Sequence, residues 1–436
     1  MVEAVTVART RTPLTSNQKR GFFAAYGGWT LDGMDAFIYA LVLVPALTEL
    51  LPASGIAATP VNIGFYGSVL FAMFLLGWGL SMVWGPIGDR IGRVRALMLT
   101  ILAYSLFTFM CGLVTNIWQL AVLRILCGIG LGGEQPIGST FVAEELPEDR
   151  RKMAAGILHT GYYMGFLLAS IANYYIGATY GWRWMFFFGG LPALFITFIR
   201  WGVKESRLWD EQFGSGKKKE RPKMSEAFGT LFTGKYKSRT TIMSMIYTVS
   251  IIGQWAGSIY VPTAITQLAL RSGMLPPDAA RLASRGAMVL AIGTVIGCLL
   301  APILAERFGR RKAMGMFMTL LCVMTAVSFG YVFYLPTDAL QTFFVCVFFL
   351  GLAGANFAMY TLWLPEQFDT SCRASGMGFI SSIGRFVGVG MIFLIAAGVN
   401  YFGSIGTPIA LTSIIIFLGL FLLPFAAETR GQPLPR

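Results

Sequence analysis

Long apolar runs alternate with short polar segments along the whole chain. A membrane core about 30 Å thick is crossed by about 20 helical residues, each adding about 1.5 Å. Windows of about 19 residues therefore predict an all-α protein with twelve membrane-spanning helices. The predicted spans are 22–46, 62–84, 96–114, 118–142, 153–178, 184–202, 240–268, 286–304, 313–334, 341–364, 375–398 and 405–427.

Composition agrees with this pattern. Of the 436 residues, 55% are hydrophobic and 13% are charged, and the mean hydropathy is +0.65. Soluble domains carry about 25% charged residues, so the chain is predicted to be a polytopic integral membrane protein. Segment 1–21 has no apolar core followed by a small-residue cleavage site, and we expect it to be a retained tail instead of a signal peptide.

Basic residues are distributed unevenly between the two sides of the predicted membrane. Most of the 34 Lys and Arg residues lie on the side of both termini, and the largest group lies in the linker at 203–239. The positive-inside rule then places both termini in the cytoplasm, and we expect a bacterial-type inner membrane. This asymmetry accounts for the net charge of +13 without a nucleic acid partner.

The linker divides the chain into two halves of six spans, 22–202 and 240–427, flanked by an N-terminal tail at 1–21 and a C-terminal tail at 428–436. Lys217, Lys218 and Lys219 lie in the linker, and we expect them to contact anionic headgroups; a regulatory docking site is the alternative. The six cysteines show no metal-ligand spacing, so neither a disulfide nor a metal site is predicted.

The two halves repeat each other. Gly-Asp-Arg-Ile-Gly-Arg at 88–93 corresponds to Ala-Glu-Arg-Phe-Gly-Arg at 305–310, and Leu-Pro-Glu at 146–148 corresponds to Leu-Pro-Glu at 364–366. A duplicated six-helix unit with two pseudo-symmetric bundles explains this repeat.

Several motifs resemble those of one known family. Gly-Pro-Ile-Gly-Asp-Arg-Ile-Gly-Arg at 85–93 resembles the loop between the second and third helices of the major facilitator superfamily. Arg124 with the glycines at 128, 130 and 132 resembles the fourth-helix signature, and Pro365-Glu366 with Arg373 resembles the loop after the tenth helix. The resemblance implies two bundles that rock around a central site and open it alternately to each side of the membrane. We expect a monomer.

Loop charges that recur in both halves are predicted to form gate and interface pairs. They are Asp89, Arg93 and Glu148, with Glu306, Arg310 and Glu366 as their counterparts, and we add Arg373 from the loop motif.

Three charges inside the first bundle have no charged counterpart in the second half. Helical rise places Asp32 and Asp35 about 15 and 20 Å from the cytoplasmic face, with Arg124 at the level of Asp35. An Asp35–Arg124 pair that responds to a proton on either Asp is one interpretation. A permanent ion pair that only holds the helices together is the other.

Arg385 lies near the membrane midplane in the second bundle. A guanidinium facing a central cavity can hold a carboxylate through two parallel hydrogen bonds, which predicts an anion site. The alternative is that Arg385 crosses the cavity and pairs with Asp32.

Further polar residues lie within the predicted spans. Glu134 and His159 lie closer to the cytoplasm and could form a proton exit, although a single histidine at that depth is often a packing residue. Residues at mid-span could present hydroxyls, amides and ring faces to a solute, and each could equally be a packing residue. These are Tyr162, Tyr163, Gln254, Trp255, Asn356 and Tyr360.

The substrate class follows from a further resemblance. Asp32-Gly33-Met34-Asp35 resembles the first-helix motif of the aromatic-acid and sialic-acid proton symporters, and segment 133–136 is closer to sugar, sialate and metabolite carriers. This predicts proton-coupled uptake of a small organic carboxylate, with the proton as coupling ion and no other cofactor. A proton-driven exporter of drugs or metabolites is the alternative. An enzyme is not expected, because the sequence offers no nucleophile–base set.

Overall fold

The computed structural model describes residues 12–213 and 224–435, and these residues form helices joined by short loops. The first half contains the helices α1 (Ser16–Ala53), α2 (Pro60–Leu80), α3 (Trp84–Ile91), α4 (Arg93–Cys111), α5 (Ile117–Leu131), α6 (Glu134–Glu145), α7 (Glu148–Ala172), α8 (Ala178–Tyr180), α9 (Trp182–Phe188), α10 (Pro192–Gly202) and α11 (Arg207–Phe213). The second half contains α12 (Met224–Leu231), α13 (Gly234–Ile259), α14 (Val261–Arg271), α15 (Pro276–Phe308), α16 (Arg310–Gly330), α17 (Ala339–Gly354), α18 (Asn356–Trp363), α19 (Arg373–Phe402) and α20 (Gly406–Leu420).

These helices confirm an all-α integral membrane fold. Within the described ranges, 11 helical segments are long and apolar enough to cross a membrane, and the shorter Trp182–Ile196 supplies the remaining span of twelve. Each half also has its own hydrophobic core, one centred on α1, α4 and α5 and the other on α13, α16 and α17. The two cores correspond to the two predicted six-helix bundles.

The predicted spans differ from the helices in two ways. Six spans expected to be single helices are interrupted: α2 from α3 at 81–83, α5 from α6 at Gly132 and Gly133, α7 from α8 at 173–177, α9 from α10 at 189–191, α13 from α14 at Tyr260, and α17 from α18 at Ala355. Hydropathy does not detect such breaks, because small residues at a kink are as apolar as the helix around them. In addition, α1 begins before residue 22, because Thr15 and Gln18 form a capping box at its start.

Close backbone contact joins α1 to α7. A Cβ atom on Gly33 would lie 2.2 Å from the Tyr162 carbonyl oxygen, and one on Gly165 would lie 2.1 Å from the Thr30 carbonyl oxygen. Only glycine permits this approach at both positions, and the contact fixes the height of Asp32 and Asp35 relative to α7.

The repeat extends to the starts of α4 and α16. Each helix follows a glycine with positive φ, Gly92 (105°) and Gly309 (90°). The carboxylate of Glu205 accepts from the Arg93 N–H at 2.9 Å, and that of Glu428 accepts from the Arg310 N–H at 2.9 Å. The segments predicted to be the linker and the C-terminal tail therefore each supply a helix cap.

The two caps titrate differently. Burial raises the pKa of the Glu205 carboxyl above its ordinary value, although backbone N–H groups oppose the shift. The pKa of the Glu428 carboxyl lies below its ordinary value. Partial burial acts to raise it, but hydrogen bonds from the N–H groups of Arg310, Arg311, Thr429 and Arg430 have the larger, opposite effect.

The predicted linker contains the helices α11 and α12, and α13 begins within it at Gly234. The predictions for residues 1–11 of the N-terminal tail, for Lys217, Lys218 and Lys219, and for residue 436 concern positions outside the described residues.

Both ends of the described chain lie at the same face of the molecule. The Thr12 N–H donates to Asp149 at 2.7 Å, and Arg373 donates to the Pro435 carbonyl oxygen. We call this side, where α4 and α16 begin, the basic face.

Candidate functional site

Five charged side chains lie buried within the membrane-spanning helices. Each is at most 3% exposed, and no ion pair joins any two of them within the part of the chain that the structure describes. They are Asp32 and Asp35 on α1, Arg124 on α5, Glu134 on α6 and Arg385 on α19.

Arg124 is held by aromatic rings instead of a carboxylate. Its guanidinium carbon lies 4.6 Å from the ring centroids of both Tyr39 and Phe74. The three guanidinium nitrogens and both Asp35 carboxylate oxygens have no hydrogen-bond partner among the described residues. The predicted Asp35–Arg124 ion pair is therefore not formed in this conformation, although the charge of Arg124 acts on Asp35.

Arg385 crosses the boundary between the bundles. Its Nη2 donates to Oε1 of Gln135 at 3.3 Å, and its guanidinium stacks over the Trp78 ring at 4.4 Å, so both contacts are to the first bundle. The Nη1 atom has no partner among the described residues. The alternative of a direct Arg385–Asp32 bridge is not found, because both Asp32 oxygens also lack a hydrogen-bond partner there.

Charged groups of both signs surround Asp32. The charge of Arg385 acts on it favourably, and Glu134 and Asp35 repel it. An ionised Asp32 therefore depends on one guanidinium that it does not contact.

Glu134 and His159 line one small cavity, with room for about one water molecule. Oε1 of Glu134 accepts from the Thr100 hydroxyl at 3.2 Å, and Oε2 has no partner among the described residues. Nδ1 of His159 lies 3.2 Å from the Thr361 hydroxyl oxygen on α18. We call this space the inner cavity.

The mid-span polar residues fall into two groups. Tyr162 is part of an aromatic wall on the first bundle, with its ring centroid 5.0 Å from Trp29 and 6.5 Å from Trp78. Tyr163 lies 5.9 Å from Tyr162, and Trp255 meets Phe71 across the bundle boundary at 6.2 Å.

The second group is packed inside the second bundle. The Tyr360 hydroxyl lies 2.7 Å from the Ser250 hydroxyl, and its ring lies 4.6 Å from Tyr247. Gln254 packs against Gly354, and the side-chain amide of the fully buried Asn356 has no partner among the residues described.

Buried ion pairs join the bundles at the basic face. Nη1 of Arg373 lies 2.5 Å from Oε1 of Glu144, and Asp89 accepts from the Ser375 N–H at 2.9 Å. Nearer the edge, Arg151 pairs with Glu366 at 3.4 Å and Lys152 with Glu306 at 2.8 Å. Most predicted gate charges thus meet at one closed interface.

The same loops are also braced inside each bundle. Arg93 pairs with Glu144 at 2.9 Å, and Ser206 donates to the same carboxylate at 2.5 Å. In the second bundle Arg310 pairs with Glu366 at 2.9 Å and with Glu306 at 2.5 Å, and Thr429 donates to Glu366 at 2.5 Å.

This arrangement corrects one correspondence. The structural counterpart of Glu366 is Glu144, not Glu148. Glu148 is half exposed and pairs with Arg151 on its own helix at 2.9 Å. Matching the two Leu-Pro-Glu sequences was misleading, because the carboxylate that reaches the arginine comes from the end of α6.

Comparison with known proteins decides the family. The sequence profile of the Major Facilitator Superfamily matches residues 22–303, more than half of the chain. The chain belongs to the major facilitator superfamily. Its members are transporters, so the prediction that the chain is not an enzyme is confirmed.

Relatives in this superfamily align over nearly the whole chain. A probable 4-methylmuconolactone transporter of Cupriavidus pinatubonensis is 28% identical over 424 residues, covering 95% of this chain and 91% of the relative. The niacin transporter NiaP of Acinetobacter baylyi is 24% identical, with 93% of each chain covered. The cis,cis-muconate transport protein of the same organism is 25% identical, covering 95% of this chain and 96% of the relative.

Solved structures share the superfamily fold. The proton:xylose symporter XylE superposes with a TM-score of 0.75 at 19% identity, covering 96% of this chain and 98% of that one. The human organic anion transporter MFSD10 superposes with a TM-score of 0.71 at 13% identity, covering 95% and 100%.

Several site residues of this superfamily member were not predicted. Trp78, Gln135, Tyr39 and Phe74 hold the two central arginines, but an aromatic residue in an apolar span cannot be distinguished from a packing residue by sequence pattern. Glu144 follows the predicted end of the fourth span, beside Glu145 and Glu148, and nothing in the sequence shows which of these carboxylates reaches the arginines.

Proposed function

We propose that the protein is a proton-coupled symporter that takes up a small organic carboxylate by alternating access. One observation carries the proposal: the guanidinium of Arg385 lies at the bundle boundary with Nη1 unpartnered among the described residues, beside the unpaired carboxylate of Asp32. A buried cation of this kind suits an anionic ligand.

The same arrangement supplies coupling. A substrate carboxylate at Arg385 and an ionised Asp32 repel each other and compete for one guanidinium. A proton on Asp32 removes both effects, so proton binding favours substrate binding. By linkage, the bound substrate favours the proton to the same degree.

Asp35 and Arg124 form the second charged element. An ionised Asp35 faces the charge of Arg124 across a gap, in a part of the first bundle away from water. A proton on Asp35 lowers the free energy needed to close the dry site over it. Release of substrate and proton at the basic face then allows the empty carrier to return.

Opening at the basic face requires the pairs between the bundles to separate. Arg373 and Glu144 must part in the middle of this interface, while the pairs inside each bundle keep the loops intact. We place the basic face in the cytoplasm of a bacterial inner membrane, with a monomer as the working unit, protons as the coupling ion and no metal or organic cofactor.

The proposed substrate is a flat carboxylate. The wall of Trp29, Tyr162 and Trp78 presents ring faces beside Arg385. The relatives are described as carrying methylmuconolactone, niacin and muconate, which are small unsaturated acids or their lactone.

Uptake into proteoliposomes tests the proposal. The vesicles receive an inward acid gradient and radiolabelled nicotinate, cis,cis-muconate, 4-methylmuconolactone, benzoate, lactate or sialate. We expect one of the acids to accumulate only with the gradient, and Asp35→Asn to abolish this accumulation. If no acid is taken up and the vesicles instead expel apolar or cationic compounds, the exporter interpretation takes its place.

A further inference from the structure

Two small cavities follow one another from Glu134 to the gate at the basic face. The inner cavity is lined by Glu134, His159, Ser139 and Thr361 among others. A second one, which we call the gate cavity, shares Ser139 and Thr361 with it and reaches Arg151. Arg151 lies in the first turn of α7, and His159 lies two turns deeper.

Glu134 differs from Asp32 and Asp35 in having no cation near it. The charge of Arg124 acts on Asp35 and that of Arg385 on Asp32, but neither acts on Glu134. Its Oε2 points at α1, where a Cβ on Gly28 would lie 2.7 Å away, and it has no hydrogen-bond partner in the described part of the chain. An ionised carboxylate in this setting is strongly disfavoured, so Glu134 holds a proton while the site is closed.

The inner cavity also lies on the surface that separates during transport. Glu134, Ser139 and His159 belong to the first bundle, and Thr361 belongs to the second. Parting of the bundles at the basic face widens both cavities and admits water to Glu134. A carboxylate in water ionises well below neutral pH and gives up its proton.

We propose that Glu134 carries a second proton in each transport cycle and releases it to the basic face through the inner and gate cavities. The inference rests on the proposed symport and adds its stoichiometry of two protons per substrate anion. Asp32 delivers the proton, because it follows Gly28 by one helical turn on the same side of α1.

Charge balance in the loaded, closed carrier supports this count. With an anion at Arg385, four negative groups face the guanidiniums of Arg124 and Arg385. Two protons, one on Glu134 and one shared between Asp32 and Asp35, leave the site neutral. The other titratable groups that face Glu134 are Asp32 from α1, Tyr104 from α4 and His159 from α7, and Thr100 of α4 donates a hydrogen bond to it.

The first experiment needs no substrate. Infrared difference spectra of the purified protein are recorded between about pH 5 and about pH 9, over the carbonyl stretch of protonated carboxyl groups. We expect one titrating band to be lost in Glu134→Gln, where the amide oxygen still accepts from Thr100, and to be retained in Glu211→Gln, an exposed position on α11. A band that is lost in Glu134→Gln but does not titrate in the wild type means a permanently bound proton and overturns the inference.

The second experiment measures charge movement with nicotinate as the probe. One monocarboxylate with two protons carries a net positive charge, so an interior-negative potential should raise uptake several-fold in the wild type. In Glu134→Gln the uptake should persist and lose this response. If uptake by the wild type does not depend on the potential, the proposal of a second proton is wrong. If no acid is taken up in response to the gradient, the proposal of symport is wrong.

Substitutions along the two cavities distinguish an effect on proton transfer from an effect on folding. Thr361→Val preserves shape and removes the hydroxyl between the two cavities, and we expect it to slow the potential-driven current at least several-fold. Thr412→Val on α20 is the matched control, since it is equally buried and far from the cavities. Gly28→Ala should displace Oε2 of Glu134 and shift its infrared band. Equal currents in the two threonine variants would rule out this exit.

Discussion

The guanidinium of Arg373 on α19 and the carboxylate of Glu144 on α6 join the two bundles through an ion pair of 2.5 Å between Nη1 and Oε1. Both side chains are fully buried, and Glu144 also binds Arg93 within its own bundle. The Glu144 carboxylate therefore takes part both in an ion pair inside the first bundle and in the ion pair that joins the two bundles.

Glu144→Gln should open the basic face. Loss of one partner of a buried pair costs about 3–5 kcal/mol, which corresponds to a shift of at least about 100-fold between closed and open states. Spin labels at the exposed positions 90 and 237, one on each bundle, should move apart in distance measurements. Glu148→Gln is the matched control and should leave the distances unchanged, because Glu148 pairs along its own helix. Equal shifts in both variants would contradict the assignment of Glu144 as the closing carboxylate.

Glu428→Gln should lower stability at neutral pH and not in acid. Its depressed pKa means that the ionised cap stabilises the fold above the ordinary carboxyl value of about 4.3, and that this contribution is lost as the pH falls through the lowered pKa. We expect a loss of about 1 kcal/mol at neutral pH, measured by thermal unfolding in detergent across a pH series.

Glu205→Gln should show the opposite trend. Its raised pKa means that the folded protein binds the proton more tightly, so the contribution of Glu205 to stability grows as the pH falls through the raised value. The same unfolding series should give a smaller loss than Glu428→Gln at neutral pH. Identical pH profiles for the two caps would contradict the difference in their burial.

Arg385→Lys should weaken substrate binding by about 10–100-fold. Lysine keeps the charge but loses the planar fork and its stacking on Trp78, and a hydrogen bond to a charged group is worth about 1.5–3 kcal/mol. Binding is measured by calorimetry with the transported acid. Arg271→Lys is the control, because Arg271 also stacks on an aromatic ring, Phe333 at 4.6 Å, outside the site. If Arg385→Lys binds the acid with unchanged affinity, Arg385 does not contact the substrate.

Asp35→Asn should separate exchange from accumulation. An amide mimics the protonated carboxyl, so the loaded carrier still crosses, but it cannot return empty after losing a proton. Counterflow of labelled acid should continue, and accumulation driven by an acid gradient should disappear. Asp210→Asn at an exposed position on α11 should retain both. Accumulation at the wild-type level in Asp35→Asn would show that Asp35 is structural.

Gly33→Ala should destabilise the protein by about 1–3 kcal/mol, because the added Cβ meets the backbone of α7 and the two helices must move apart. Thermal unfolding in detergent measures the loss. Gly390→Ala within α19 is the control, since a Cβ there meets nothing within 4 Å. A wild-type melting temperature for Gly33→Ala would mean that α1 and α7 can separate freely.

The sequence by itself determined the class of fold and the set of charges that fall inside the spans. Span length and hydropathy predict twelve membrane helices because the thickness of a bilayer imposes a length on each one. The repeat of Asp89 and Arg93 in Glu306 and Arg310 predicts the gate, and the buried charges at 32, 35, 124 and 385 break that repeat.

Only the tertiary structure decided which side chains meet. Asp35 and Arg124 share a depth, yet rings of Tyr39 and Phe74 hold the guanidinium instead, and Arg385 reaches Gln135 and not Asp32. Depth along a helix follows from rise per residue, whereas the rotation of each helix and the break at Gly132 and Gly133 depend on packing against neighbours. The cavities that connect Glu134 to the gate arise from the same packing, because residues from both bundles line them.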